Sequence, residues 1–253
     1  DEARLVEDGV LPVRSRRGGF KQNPASAKDP TEWKHLYKPE PGYPNLADPS
    51  RAEDDIHTAV KAYSGKMINR QLHDGEHFFR AFGEKGVTHG EKIRETFAGG
   101  VWWGIGEAPK SAQEWRPSTA VLDEFNRNGF LVTGKVVGDG GPKAVVGTVA
   151  EQTGTKLPGQ YLPGGATQAF FFLDQPVADH LTALGQRAIA ENRLLTWVDP
   201  ASGMHFEIRP SGWKDVNGII GYIHTPGTGT VTTARLGERE QATKEHRQVV
   251  VSP

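Results

Sequence analysis

The chain has 253 residues, 30 basic and 31 acidic side chains, a formal net charge of -1 and no cysteine. These numbers exclude disulfides, thiolate metal sites and cysteine nucleophiles, and they leave no global field to draw the chain to nucleic acid or to an anionic membrane. The length suits one large domain or a medium domain with appendages, and 31 Gly with 17 Pro point to turns and short strands rather than a helical bundle.

Residues 1–52 are polar and aperiodic, interrupted by Pro24, Pro30, Pro39, Pro41, Pro44 and Pro49. They read as an extended lead segment that either wraps the domain through Trp33, Leu36 and Tyr37 or serves as a linker. Asp1-Glu2-Ala3-Arg4 shows no basic region followed by an apolar one, so no signal peptide is read there. Without an initial Met, the chain reads as a processed or excised piece of a longer protein. No stretch approaches the roughly 18 apolar residues of a membrane span, so no membrane insertion is expected.

A helix is predicted over 54–63, where Ile56, Ala59, Val60 and Tyr63 fall at helical spacing. Residues 77–82 then read as a strand, 83–90 as a loop, and 99–104 as a short strand bounded by glycines. Ser111, with Glu114 three residues on, predicts one helical turn over 111–115. Strands follow over 129–137 and 145–150, with the glycine-rich 138–141 as a hairpin turn between them. A strand is also expected over 168–173. The best helix is 178–192, whose Ala178, Leu181, Leu184, Ala188 and Ile189 make an apolar stripe. Residues 194–198 and 205–208 flank a turn-rich Asp199-Pro200-Ala201-Ser202-Gly203 and suggest a hairpin. A last strand is expected over 218–224, and 226–253 read as a peripheral tail. The expected organisation is a lead segment (1–52), a folded domain (53–225) and a tail (226–253). Its expected class is α+β, a twisted, mostly antiparallel sheet or split barrel with few helices.

Two polar residues stand out on apolar strands. Arg80 sits alone among aromatics in His77-Phe78-Phe79-Arg80-Ala81-Phe82-Gly83, and Gln168 follows the turn Pro163-Gly164-Gly165. An Arg fork suits phosphate oxygens, and a side-chain acceptor suits a ribose hydroxyl. The two are expected to converge across one cleft and grip the ends of a dinucleotide. Considered singly, Arg80 is equally a strand-edge Arg paired with a carboxylate, and Gln168 an ordinary polar residue entering a strand. Trp102 and Trp103 alternate in direction, one for the core and one free to stack on a ligand ring, or both are packing residues. Arg116 is a candidate second phosphate contact or a solvated loop Arg, and Lys85 and Arg94 are weaker candidates. His73-Asp74-Gly75-Glu76-His77 matches a zinc-binding pattern that requires a helix, but Gly75 and the aromatic run behind it make it a turn before a strand. His205 and Glu207 share one face of a strand, as an acid/base pair or as solvent-facing alternation. A nuclease has no His/Asp/Glu cluster of convincing metal spacing to support it.

The order Phe79-Arg80-Ala81-Phe82-Gly83, then Gly100-Val101-Trp102-Trp103, then Gly159-Gln160-Tyr161-Leu162-Pro163-Gly164-Gly165-Ala166-Thr167-Gln168 resembles the NAD glycohydrolase toxins related to tuberculosis necrotizing toxin, within the wider ADP-ribosyltransferase-like fold. The resemblance covers roughly residues 70 to 175 and is one of order and spacing. It implies a bacterial effector domain, secreted or delivered into a target cell's cytosol, that hydrolyses NAD or NADP to nicotinamide and the ADP-ribose product. No metal or bound cofactor is implied, since NAD is the substrate. It further implies a cognate immunity protein and no nucleic-acid partner. Arg80 and Gln168 would be the catalytic pair, with Arg80, Phe82, Gly83, Trp102, Trp103, Arg116 and Gly165 around the dinucleotide. Ala166 lies where transferases carry the first Glu of Glu-x-Glu, and Gln168 where they carry the second. Gln cannot act as a base, which favours water as the acceptor. The alternatives are an ADP-ribosyltransferase using Glu151 or Glu207 as base, and a non-enzymatic binding or structural module.

Overall fold

A computed structural model of the chain describes residues 13–14, 20–22, 30–38, 40–46, 60–83, 96–122, 126, 129–154, 160–213, 221–225 and 230–234. Among the described residues the main sheet has eight strands. In chain order they are β3 (Tyr63–Gln71), β4 (His77–Gly83), β5 (Trp102–Ile105), β6 (Gly129–Lys135), β7 (Lys143–Val149), β10 (Thr167–Phe170), β11 (Leu195–Val198) and β12 (His205–Pro210). Across the sheet the order is β11-β12-β6-β4-β5-β10-β7-β3. A second sheet joins β1 (Val13–Arg14), β2 (Phe20–Gln22), β8 (Gln152–Gly154), β9 (Gln160–Leu162), β13 (Gly221–Thr225) and β14 (Thr230–Ala234). Every strand pairing among the described residues is antiparallel. Among the described residues two α-helices, α1 (Ala112–Thr119) and α2 (Gln175–Glu191), complete an α+β fold.

The aromatic and β-branched runs that predict strands do form them. The hairpin across Asp199 also forms, with Leu195 opposite Ile208 and Val198 opposite His205. Three expectations change. Tyr63 opens a nine-residue strand instead of closing a helix, while 54–59 lie outside the described residues. The glycine-rich 138–141 turn does not join neighbouring strands, because β4, β5 and β10 lie between β6 and β7. The tail contributes β14, paired to β13 with Gly221 opposite Ala234. The remaining residues of 226–253 lie outside the described residues.

α2 lays Val177, Leu181 and Ala188 on one face of the main sheet. There they join Phe78, Phe82, Trp103, Phe130, Phe171, Phe206 and Ile208 in the principal core. The described residues cover the other face in three patches, one of them Val149 of β7 packed with Ala120, Leu122 and Leu162. Trp33, Leu36 and Leu46 of the lead segment are buried against Tyr63, Met67 and Val145, and the Tyr63 hydroxyl donates to the Val145 carbonyl at 2.9 Å. Trp115 of α1 packs with Phe79, Ala81 and Leu131, and its ring lies 5.4 Å from that of Trp213.

α1 starts where the sequence places it. The Ser111 hydroxyl accepts the Glu114 amide at 3.2 Å, satisfying one of the first-turn donors that the helix itself leaves without a partner. Ser111→Ala is expected to lower unfolding free energy by about 0.5–2 kcal/mol, read from the urea midpoint at unchanged slope.

Candidate functional site

Arg80 leaves β4 from its middle. Its register opposite Val132, together with Phe79 opposite Gly104, puts it on the face of Phe78, Trp103 and α2. The side chain as a whole is half-buried. Nε donates to the Phe97 carbonyl at 2.7 Å and Nη1 to the Trp102 carbonyl at 3.0 Å. No carboxylate among the described residues pairs with it, and Nη2 has no hydrogen-bond partner there. The protein atoms packed around the guanidinium push its pKa down to about 10, because desolvation disfavours the charged form. It therefore stays protonated at neutral pH. Gly100 lies against it: a Cβ there would stand 2.2 Å from Arg80 Cζ. Among the described residues, no strand-edge salt bridge of the ordinary kind holds Arg80.

Gln168 is held differently. It pairs with Gly104 of β5 and Gly147 of β7, and its Nε2 donates to the Ala62 carbonyl at 2.6 Å. Gly104 in turn faces Phe79. Residues directly opposite in an antiparallel ladder share a face, and neighbours along a strand do not. Gln168 thus lies on the face of Phe79, and Arg80 on the other. The expected convergence of the two across one cleft is corrected: an eight-stranded sheet separates their directions, and the mismatch is one residue of register.

The remaining candidates serve packing. Trp102 and Trp103 do alternate, but both are engaged by protein rings. Trp103 is buried, stacked on Phe171 at 5.6 Å, with Nε1 donating to the Gly100 carbonyl at 2.9 Å. Trp102 meets Phe170 at 4.7 Å and Tyr63 at 5.7 Å. Phe82 is core. The Gly83 amide donates to Thr96 Oγ1 at 3.0 Å, close to Arg80. Arg116 is not a solvated phosphate contact: it is fully buried, its Nη1 donating to the carbonyls of Val121 and Asn126 at 2.9 and 2.8 Å. Gly164 at φ +72 turns the chain so that its amide reaches the Pro117 carbonyl at 2.9 Å, and the Gly165 amide reaches Val149 at 3.0 Å. The Pro-Gly-Gly turn thereby docks on the end of α1. Lys85 and Arg94 lie outside the described residues.

No protein-family model matches this chain. Neither a curated protein nor a solved structure matches it.

His73 to Glu76 form a turn before β4, as the sequence suggests. The Glu76 amide donates to the His73 carbonyl at 3.0 Å, and Arg70 bonds the Glu76 carboxylate at 2.7 Å. No group of three or more metal-ligating side chains occurs among the described residues. His205 and Glu207 do share a face, but Glu207 bonds Arg209 at 3.2 Å. Their neighbour across the strand, Lys135, gave no signal in the sequence. Only the register between β12 and β6 brings it to His205.

Proposed function

We propose that this chain is a delivered effector enzyme that cleaves NAD at the nicotinamide–ribose bond, and that Arg80 holds the dinucleotide's phosphates. The observation that carries the reading is the state of the Arg80 guanidinium. It is fixed by two backbone carbonyls and desolvated, with no carboxylate among the described residues. A cation packed by protein atoms, with no counter-charge among the described residues, carries a desolvation cost. A pyrophosphate would supply both the charge and the acceptors that Nη2 lacks. The sequence order shared with the NAD glycohydrolase toxins of the ADP-ribosyltransferase-like fold is the second support.

In the reaction, the C1′–N bond of the nicotinamide ribose breaks and nicotinamide leaves neutral. A water oxygen bonds C1′ and releases a proton. Arg80 contributes by fixing the phosphates so that the ribose is presented in one geometry. Gln168 is not assigned the ribose, because its face is not that of Arg80. Hydrolysis is favoured over transfer: Glu151 accepts the Tyr161 hydroxyl at 2.6 Å and Glu207 bonds Arg209, so neither carboxylate stands ready as a base. A cognate immunity protein would act by covering the approach to Arg80.

The test is release of free nicotinamide from NAD by the purified chain. Arg80→Ala is expected to lower it by about 100-fold or more, and Gln168→Ala to leave it within a few-fold at an unchanged melting profile. No release by a folded preparation, or full activity in Arg80→Ala, rejects the reading. A large loss in Gln168→Ala with the fold intact would overturn the assignment by face.

A further inference from the structure

The part of the main sheet that no described layer covers carries its own chemistry. His77 and His205 each pair with Lys135, one from β4 and one from β12. The three side chains therefore stand in one row on the face opposite α2, with Phe79, Thr133 and Glu207 in the next row. Strands lie about 4.8 Å apart, so the two imidazoles flank the ammonium with their Cα atoms about 10 Å from each other. His77, Lys135, His205, Thr133 and Glu207 line an open cleft of about 410 Å³ together with Val198. Among the described residues, the carboxylates Glu107 and Glu207 beside the row are matched: Glu107 bonds His77 Nδ1 at 2.9 Å, and Glu207 bonds Arg209. Lys135 and His205 are exposed and have no partner among the described residues. The row thus offers an oriented imidazole, an unmatched ammonium and a second imidazole.

We propose that this cleft is a metal-free site for cleaving single-stranded RNA. With Nδ1–H donated to Glu107, His77 keeps Nε2 as its basic nitrogen. Nε2 takes the proton of a ribose 2′-hydroxyl, and the 2′-oxygen attacks the adjacent phosphorus. Lys135, between the two histidines, stabilises the extra negative charge on the non-bridging oxygens. The bond from phosphorus to the 5′-oxygen breaks, and protonated His205 gives that oxygen its proton. The products are a 2′,3′-cyclic phosphate and a 5′-hydroxyl. His77 then returns its proton to water and His205 regains one. The cleft is open instead of enclosing its contents, which admits a polymer. With a formal net charge of -1, the attraction for RNA is local to this row.

The inference is independent of the NAD reading, and the two assays read different bonds: RNA fragments report on this cleft, nicotinamide on Arg80. The experiment incubates the full chain with a mixed-sequence single-stranded RNA and with the same sequence as DNA, both in a chelator. Fragments ending in 2′,3′-cyclic phosphate are expected from RNA alone. His77→Ala and His205→Ala are each expected to slow cleavage about 100-fold or more, and Lys135→Ala comparably. His205 is exposed, so His205→Ala tests the chemistry without disturbing the core. Absence of fragments from a folded preparation, cutting of the DNA, or cleavage at the parent rate by either histidine variant would overturn the proposal.

Discussion

Phe78→Ala is expected to lower unfolding free energy by about 3–5 kcal/mol, a large share of the roughly 5–15 kcal/mol that holds a domain together. Phe78 is fully buried. Its ring meets Trp103 at 5.1 Å, Phe171 at 5.5 Å and Phe206 at 6.0 Å, all edge-on. These rings come from β5, from the residue just after β10, and from β12, so one side chain ties segments across the main sheet. It also rests on the backbone of β6, where a Cβ on Gly134 would stand 2.2 Å from the Phe78 ring. Truncation removes that apolar surface and leaves a void that strands pinned on both sides cannot close. Urea unfolding measures it. A loss under 1 kcal/mol would show that the core is not centred on this ring.

Gly100→Ala is the second large effect, and it should fall on activity more than on stability. The added methyl would meet the tip of the Arg80 side chain, not backbone. The guanidinium can swing away, at the cost of its two bonds to the Phe97 and Trp102 carbonyls. Hydrogen bonds to a charged group contribute about 1.5–3 kcal/mol each, and solvent reached by the displaced head offsets part of that. Nicotinamide release is expected to fall about 100-fold, as for Arg80→Ala, because the phosphate anchor is moved rather than removed. Gly140→Ala is the control: a Cβ there meets nothing nearer than 3.5 Å. Equal nicotinamide release by Gly100→Ala and the parent chain would show that the position of Arg80 does not matter.

What local chemistry decides was legible in the chain. The aromatic run of β4 and the β-branched runs of β6 and β7 identify strands on their own, and Ser111 with Glu114 announces α1. β3 was not legible, because Tyr63-Ser64-Gly65-Lys66-Met67 does not alternate cleanly and the pairing with β7 slips between Ser64 and Ile68. The site was harder still. Arg80 and Gln168 each have an unusual setting that a sequence can show. Whether they share a face depends on counting residues through β5, which neither strand encodes. The same holds for His77, Lys135 and His205. They lie far apart along the chain, and each reads as a solvent-facing residue until the ladder aligns them.

The strand order has a consequence for how the chain is made. β10 sits between β5 and β7, both of which precede it in the sequence. A nascent chain on the ribosome therefore holds two bare hydrogen-bonding margins until residue 170 has emerged. Such margins recruit other chains, and pairings between distant segments form slowly. Phe170 and Phe171 then seat as β10 closes that gap. Translation must deliver the keystone strand after the arch on either side of it already stands.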